Sequence, residues 1–123
     1  MKLKVDFENG EGVCVIKVQG LHKRPEDSYE LLRTAGNFGE EQGCSRFLFD
    51  MREATIVSST IGAYNTAINP EKQGFSKHWR VASVYPVITE EHKFMENVAM
   101  NSGAAAYKVF DDIETARDWI MCE

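Results

Sequence analysis

Segments with the two-residue period of a strand alternate with segments of helical period along almost the whole chain, and that alternation restricts the fold to the α/β class. Leu3, Val5 and Phe7 alternate with polar residues, Asn9-Gly10-Glu11-Gly12 supplies a turn, and Val13-Cys14-Val15-Ile16-Lys17-Val18 follows, so the chain opens with a hairpin. Gly20 is expected to close the second strand. Pro25 suits the first position of a helix, with Glu26 and Asp27 in the turn where the helix dipole favours negative charge. Leu31, Leu32, Ala35 and Phe38 keep helical spacing; Gly36 and Gly39 predict an early fray, and Gly43 lies beyond the end.

Phe47-Leu48-Phe49 is an apolar run without alternation, the pattern of a central strand covered on both faces, and it is expected to end at Asp50. Val57, Ile61, Tyr64 and Ile68 then mark one stripe of a helix that Asn69-Pro70 terminates. Trp79 to Tyr85 reads as a strand halted by Pro86. Thr89 reads as the N-cap of a helix that buries Phe94, Met95, Val98 and Ala99 and stops at Asn101-Ser102-Gly103. Tyr107 to Phe110 is the last strand. Asp111 and Glu114 have capping-box spacing before a final helix whose inner side is Ile113, Ala116, Trp119 and Ile120. The order is ββαβαβαβα: a mixed sheet whose later strands are parallel, joined by helical crossovers and packed with helices, within one domain spanning residues 1–123.

At 123 residues the chain suits a single domain that buries a core without disulfides or metals. Nineteen acidic against 14 basic residues give a net charge of −5, which disfavours nucleic acid because the phosphate backbone would be repelled. No apolar stretch approaches the roughly 18 residues that a membrane span needs, and the N-terminus lacks an apolar leader, so a cytoplasmic protein is expected. Cys14, Cys44 and Cys122 have neither zinc-ligand spacing nor an even count; they read as reduced thiols, with Cys14 in the core. No metal site or cofactor is expected.

Phe47-Leu48-Phe49-Asp50, the strand Arg80-Val81-Ala82-Ser83-Val84 and the ending Phe110-Asp111-Asp112-Ile113-Glu114-Thr115-Ala116-Arg117-Asp118-Trp119-Ile120 together resemble the STAS fold, and within it the SpoIIAA-like branch of small stand-alone proteins. The resemblance implies a non-catalytic regulatory or protein-interaction module. In phosphorylatable STAS proteins an Asp ends a strand and an Asp-Ser-Ser begins the next helix, its first Ser accepting phosphate. Asp50 matches the strand-end Asp, Ser58 stands where the second Asp would be, and Ser59 and Thr60 hold the two hydroxyl positions. A phosphate at a helix N-terminus is stabilised by free N–H groups and the dipole. Ser58, Ser59 and Thr60 are equally the residue types that cap helices with no further role.

A second constellation is Lys72, Phe75, Lys77, His78, Trp79 and Arg80, cationic side chains interleaved with aromatics in an acidic protein. Such a patch suits an anionic or lipid-like ligand, or an acidic partner; the competing reading is a solvated loop whose Phe75 and Trp79 dip into the core. Enzymatic chemistry finds no motif: His22, His78 and His92 fall in different segments, and neither a phosphate-cradling glycine loop nor a nucleophile elbow is present. The expected protein therefore binds a protein partner, with a small apolar or anionic ligand as the alternative. Self-association as a homodimer through an edge strand or an apolar helix face is a further expectation.

Overall fold

A computed structural model describes residues 1–8, 12–59, 61, 64, 78–101 and 106–122. Among the described residues five strands form one sheet in the order β1-β2-β3-β4-β5: β1 (Lys2–Glu8), β2 (Val13–Lys23), β3 (Arg46–Val57), β4 (Arg80–Val84) and β5 (Ala106–Phe110). β1 runs antiparallel to β2, as a hairpin must, and the other pairings are parallel. The described helices are α1 (Glu26–Gln42), α2 (Glu90–Asn101) and α3 (Ile113–Met121). The mixed α/β architecture expected from periodicity is thus the architecture observed. Of the helix expected over 57–68, Ile61 and Tyr64 are helical, Val57 belongs instead to β3, and the other positions lie outside the described residues.

Both faces of the sheet are covered, which explains why Phe47 to Met51 are all buried with no alternation. Leu31, Leu32 and Ala35 of α1 pack on Cys14, Ile16, Val18, Phe47, Phe49 and Val81 on one face. Tyr107 joins this core to Met95 and Ala99 of α2, so α1 and α2 share that face. Ala116 and Ile120 of α3 close the other face over Val13, Leu48, Ala82 and Val84. In α2 the buried side is His92, Met95 and Ala99, whereas Phe94, expected inside, is exposed.

Four boundaries differ from the sequence reading, each for a local reason. α1 does not fray at its glycines but continues to Gln42, with Gly36 and Gly39 buried. A Cβ at Gly39 would lie 2.5 Å from Phe47 Cζ and 3.0 Å from the Cys44 carbonyl oxygen, so the glycine is there to let the helix approach the sheet. Gly43 closes the helix in the left-handed conformation, as its position suggests. Gly20 does not end β2; it takes φ 82° within a strand that runs on to Lys23. Asp50 does not end β3 either. Lys17 pairs with Asp50 and Gln19 with Glu53, so Val18 faces both Met51 and Arg52 across a bulge, and beyond it Gly20 to Lys23 and Ala54 to Val57 continue as a two-stranded ribbon past β4. The cap of α3 is Asp112 rather than Asp111, its carboxylate accepting from the Thr115 N–H at 3.1 Å.

Candidate functional site

β2, β4 and β5 each end where a helix begins, so the N-termini of α1, α2 and α3 gather at the carboxyl edge of the parallel strands, the edge at which open α/β sheets bind ligands. Two polar arrangements occupy this edge, one on each face.

On the α3 side is Asp50. Its Oδ1 accepts from the Arg52 backbone N–H at 3.2 Å and from Arg52 Nε at 2.8 Å, while Oδ2 accepts from Nη2 at 2.8 Å. These hydrogen bonds hold its carboxyl below the ordinary value against the opposing effect of burial. The bulge turns Arg52 back onto Asp50 while Met51 stays in the core. Asp112, the cap of α3, feels the same guanidinium as a minor influence that favours its charged form. Lys17 and Glu53 form a further ion pair across the same two strands.

Ser58 and Ser59 are not beside Asp50. Seven residues separate Asp50 from Ser58, all of them in β3, so roughly 26 Å of chain lies between the two residues. The strand-end Asp and helix-start hydroxyls of the expected switch are therefore placed at the two ends of the β3 extension. Ser58 Oγ donates to the Ser59 carbonyl at 3.2 Å, Ser59 is exposed, and Thr60 lies outside the described residues. Around them the ribbon presents Leu21 and Val57 to solvent, and Ile61 beyond is 73% exposed.

Of the cationic-aromatic constellation, Lys72, Phe75 and Lys77 lie outside the described residues. His78 is exposed. Trp79 packs on Phe47 with ring centroids 4.4 Å apart, in the core beneath α1. Arg80 points to the opposite face, where its Nε donates to the Trp119 carbonyl at 2.9 Å and its guanidinium covers the Trp119 ring at 3.8 Å. Trp79 and Arg80 are thus consecutive residues with separate surroundings.

The second arrangement, on the side of α1 and α2, centres on Arg24, which immediately follows β2. Its side chain is 1% exposed, Nη1 donates to Glu91 Oε2 at 2.8 Å and Nη2 to the Tyr85 hydroxyl at 2.9 Å. Among the described residues Nε has no hydrogen-bond partner. His22, 1% exposed, holds Ser28 Oγ at 2.8 Å through Nε2 and meets Met1 Sδ at 3.0 Å through Nδ1. His92 stacks on Tyr85 at 3.6 Å and shares the first turn of α2 with Thr89, in a reciprocal cap where a histidine takes the place of the usual Glu or Gln. Burial and then the Arg24 charge push both imidazoles down to about 4. Tyr107 donates to Ser83 Oγ at 3.1 Å, and burial pushes its hydroxyl well up.

Nothing in the sequence relates His22 to His92 or singles out Arg24, because the end of β2 meets Tyr85 and α2 only through the sheet order. One local signal was present: Thr89 with His92 three residues on is capping-box spacing. Cys14 and Cys44 are buried, burial pushing Cys14 up to about 12, whereas Cys122 is exposed. Among the described residues no three His, Cys, Asp or Glu side chains are grouped to hold a metal ion, and no helix is long and apolar enough to cross a membrane.

No protein-family model matches the chain, and no curated protein does. Solved structures do. A DUF3478-family protein with a SpoIIAA-like fold from Shewanella loihica PV-4 shares 23% identity at a TM-score of 0.59, over 97% of this chain and 92% of that one. The anti-sigma factor antagonist SpoIIAA in its unphosphorylated form shares 12% identity at 0.55, over 97% of both chains. The Bacillus cell fate determinant SpoIIAA in its phosphorylated form shares 11% at 0.54, over 96% of this chain and 99% of that one. The fold is SpoIIAA-like, as the three sequence stretches suggest.

Proposed function

We propose that this SpoIIAA-like chain is a non-catalytic regulatory module that works by protein contact, its working face being the β2–β3 extension and the hydroxyl-bearing segment after it. The observation that carries the reading is the exposure of Leu21 and Val57 on a ribbon that outruns its neighbouring strand, followed along the chain by the exposed Ser59 and Ile61. Apolar side chains grouped next to phosphorylatable hydroxyls suit a docking face that a phosphate would recharge. SpoIIAA, an anti-sigma factor antagonist with this fold, has been solved phosphorylated and unphosphorylated, which supports the switch. In this chain Asp50 holds Arg52 rather than neighbouring the hydroxyls, so such a switch would act through the ribbon surface alone. A photo-crosslinker at Val57, in cells that make the protein, is expected to capture a discrete protein, and Ile61→Asp to abolish the product. Phosphopeptide analysis from the same cells is expected to find phosphate on Ser58, Ser59 or Thr60. Unmodified hydroxyls under all growth conditions would remove the switch, and absence of a crosslink would remove the contact face.

A second reading is favoured by a groove of about 440 Å³ along α2, lined by Ile88, Thr89, Glu90, Lys93, Phe94 and Asn97. Its apolar residues Ile88 and Phe94 suit a small apolar ligand, while Lys93 and Glu90 leave its rim without net charge. Native mass spectrometry of gently purified protein is expected to show a bound mass that Phe94→Asp abolishes; an unliganded mass throughout sinks this reading.

A further inference from the structure

We infer that His92 is an acid-sensitive latch on the first turn of α2: proton uptake at its Nδ1 releases that turn from the body of the protein and reshapes the groove it lines.

The Thr89 backbone N–H donates to His92 Nδ1 at 3.2 Å, so that nitrogen must carry a lone pair and the ring must be neutral. The reciprocal bond, from the His92 N–H to Thr89 Oγ1 at 3.3 Å, completes the cap. The Val87 backbone raises the affinity of the ring for its proton, less than burial and Arg24 lower it. A proton on Nδ1 would set two donors against each other and break the cap from the side-chain end. His22 differs: its contacts are a serine hydroxyl, which can either donate or accept, and a thioether, so a proton there need not break a bond.

The surroundings make an imidazolium costly as well as geometrically disruptive. His92 is buried, stacked on Tyr85, and sits at the positive end of α2. Arg24, from the end of β2, faces it and opposes a second cation; Glu91, on its own helix, favours one but is already paired with Arg24. Tyr107 of β5, which also lies next to Tyr85, stays neutral because burial pushes its hydroxyl up. Desolvation and Arg24 outweigh Glu91, which is why His92 is held down at about 4. Released from the protein body, the same ring would titrate near 6.5.

The sign follows. Between pH 6.5 and 4 the released turn binds a proton that the latched turn does not, so acid favours release and the latch is complete above pH 6.5. With those two values, lowering the pH from 7 to 4.5 raises the opening equilibrium on the order of fiftyfold. Thr89, Glu90 and Lys93 lie on or beside the released turn and also line the groove, so any occupant of the groove would feel the change. This inference does not depend on the ribbon being a docking face.

Amide hydrogen exchange on the intact chain, corrected for its intrinsic pH dependence, tests it. Protection of the Thr89, His92 and Lys93 amides, which the cap and first turn hold, is expected to fall by that factor between pH 7 and 4.5 while α3 keeps its protection, and His92→Gln, whose amide oxygen can still accept from Thr89, is expected to abolish the response. Nitrogen chemical shifts of the wild-type imidazoles give a readout that needs no variant: at pH 7 His92 should carry its proton on Nε2. Equal protection at both pH values, loss shared with α3, an unchanged response in the Gln variant, or a proton on Nδ1 at pH 7 would each overturn the latch.

Discussion

Phe47→Ala is expected to lower unfolding stability by about 4 kcal/mol, because it empties the most enclosed large side chain of a central strand and the surrounding helix and strands cannot collapse into the space. The ring is fully buried, packs on Trp79, and meets α1 where that helix has no side chain at all. The last contact makes the effect testable as a coupling. On its own, Gly39→Ala should cost about 2 kcal/mol from overpacking, although alanine is the better helix former by about 1 kcal/mol. With Phe47 truncated, the nearest obstacle at 2.5 Å is gone and only the Cys44 carbonyl and Trp79 remain close. The cost of Gly39→Ala should then fall by at least half, as the urea midpoints of the four proteins would show. Additive effects would mean that the helix and ring are not in the contact described.

The same pair explains why some of this fold was legible in the sequence and some was not. The hairpin, the doubly covered strand at Phe47 and the order of elements follow from periodicity, which records what each segment buries. Gly36 and Gly39 misled because propensity counts a glycine as a helix breaker, whereas both are buried within α1 and the missing Cβ of Gly39 seats the helix on Phe47. Asp50 misled in a different way. A charged residue after an apolar run reads as a strand end, yet here the carboxylate stays in the strand because Arg52, two residues on, turns back across a bulge to neutralise it. No period announces such a bulge. Arg24, His22 and His92 were invisible as a group since each is set in an unremarkable local sequence and only the parallel order of β2, β4 and their following helices brings them together.

Arg24→Met is expected to cost about 3 kcal/mol, the lower end for breaking a buried ion pair because the Glu91 carboxylate is one-third exposed and can be rehydrated. The loss arises mainly from what is left behind: Glu91 without its cation and the Tyr85 hydroxyl without its donor. Methionine fills much of the arginine's volume, so little of the effect is cavity. Arg24→Met combined with Glu91→Gln should therefore recover about half of the loss, whereas Glu91→Gln alone strands the guanidinium and should cost nearly as much as the arginine change. The orphan Nε indicates that the guanidinium was never fully compensated, which sets the expected recovery above that of a well-satisfied pair. Arg24 is also the second cause, after burial, of the low affinity of both histidines for protons. Removing it must raise both, toward but not up to 6.5, since desolvation remains. Each imidazole then titrates over a narrower interval between folded and unfolded protein, and the acid-dependent part of the stability shrinks. Measured by urea unfolding between pH 7.5 and 4.5, wild-type stability should fall steeply below pH 6.5 and the Arg24→Met curve should fall less, the two converging toward low pH. Parallel curves would show that Arg24 and the two imidazoles are not electrostatically coupled.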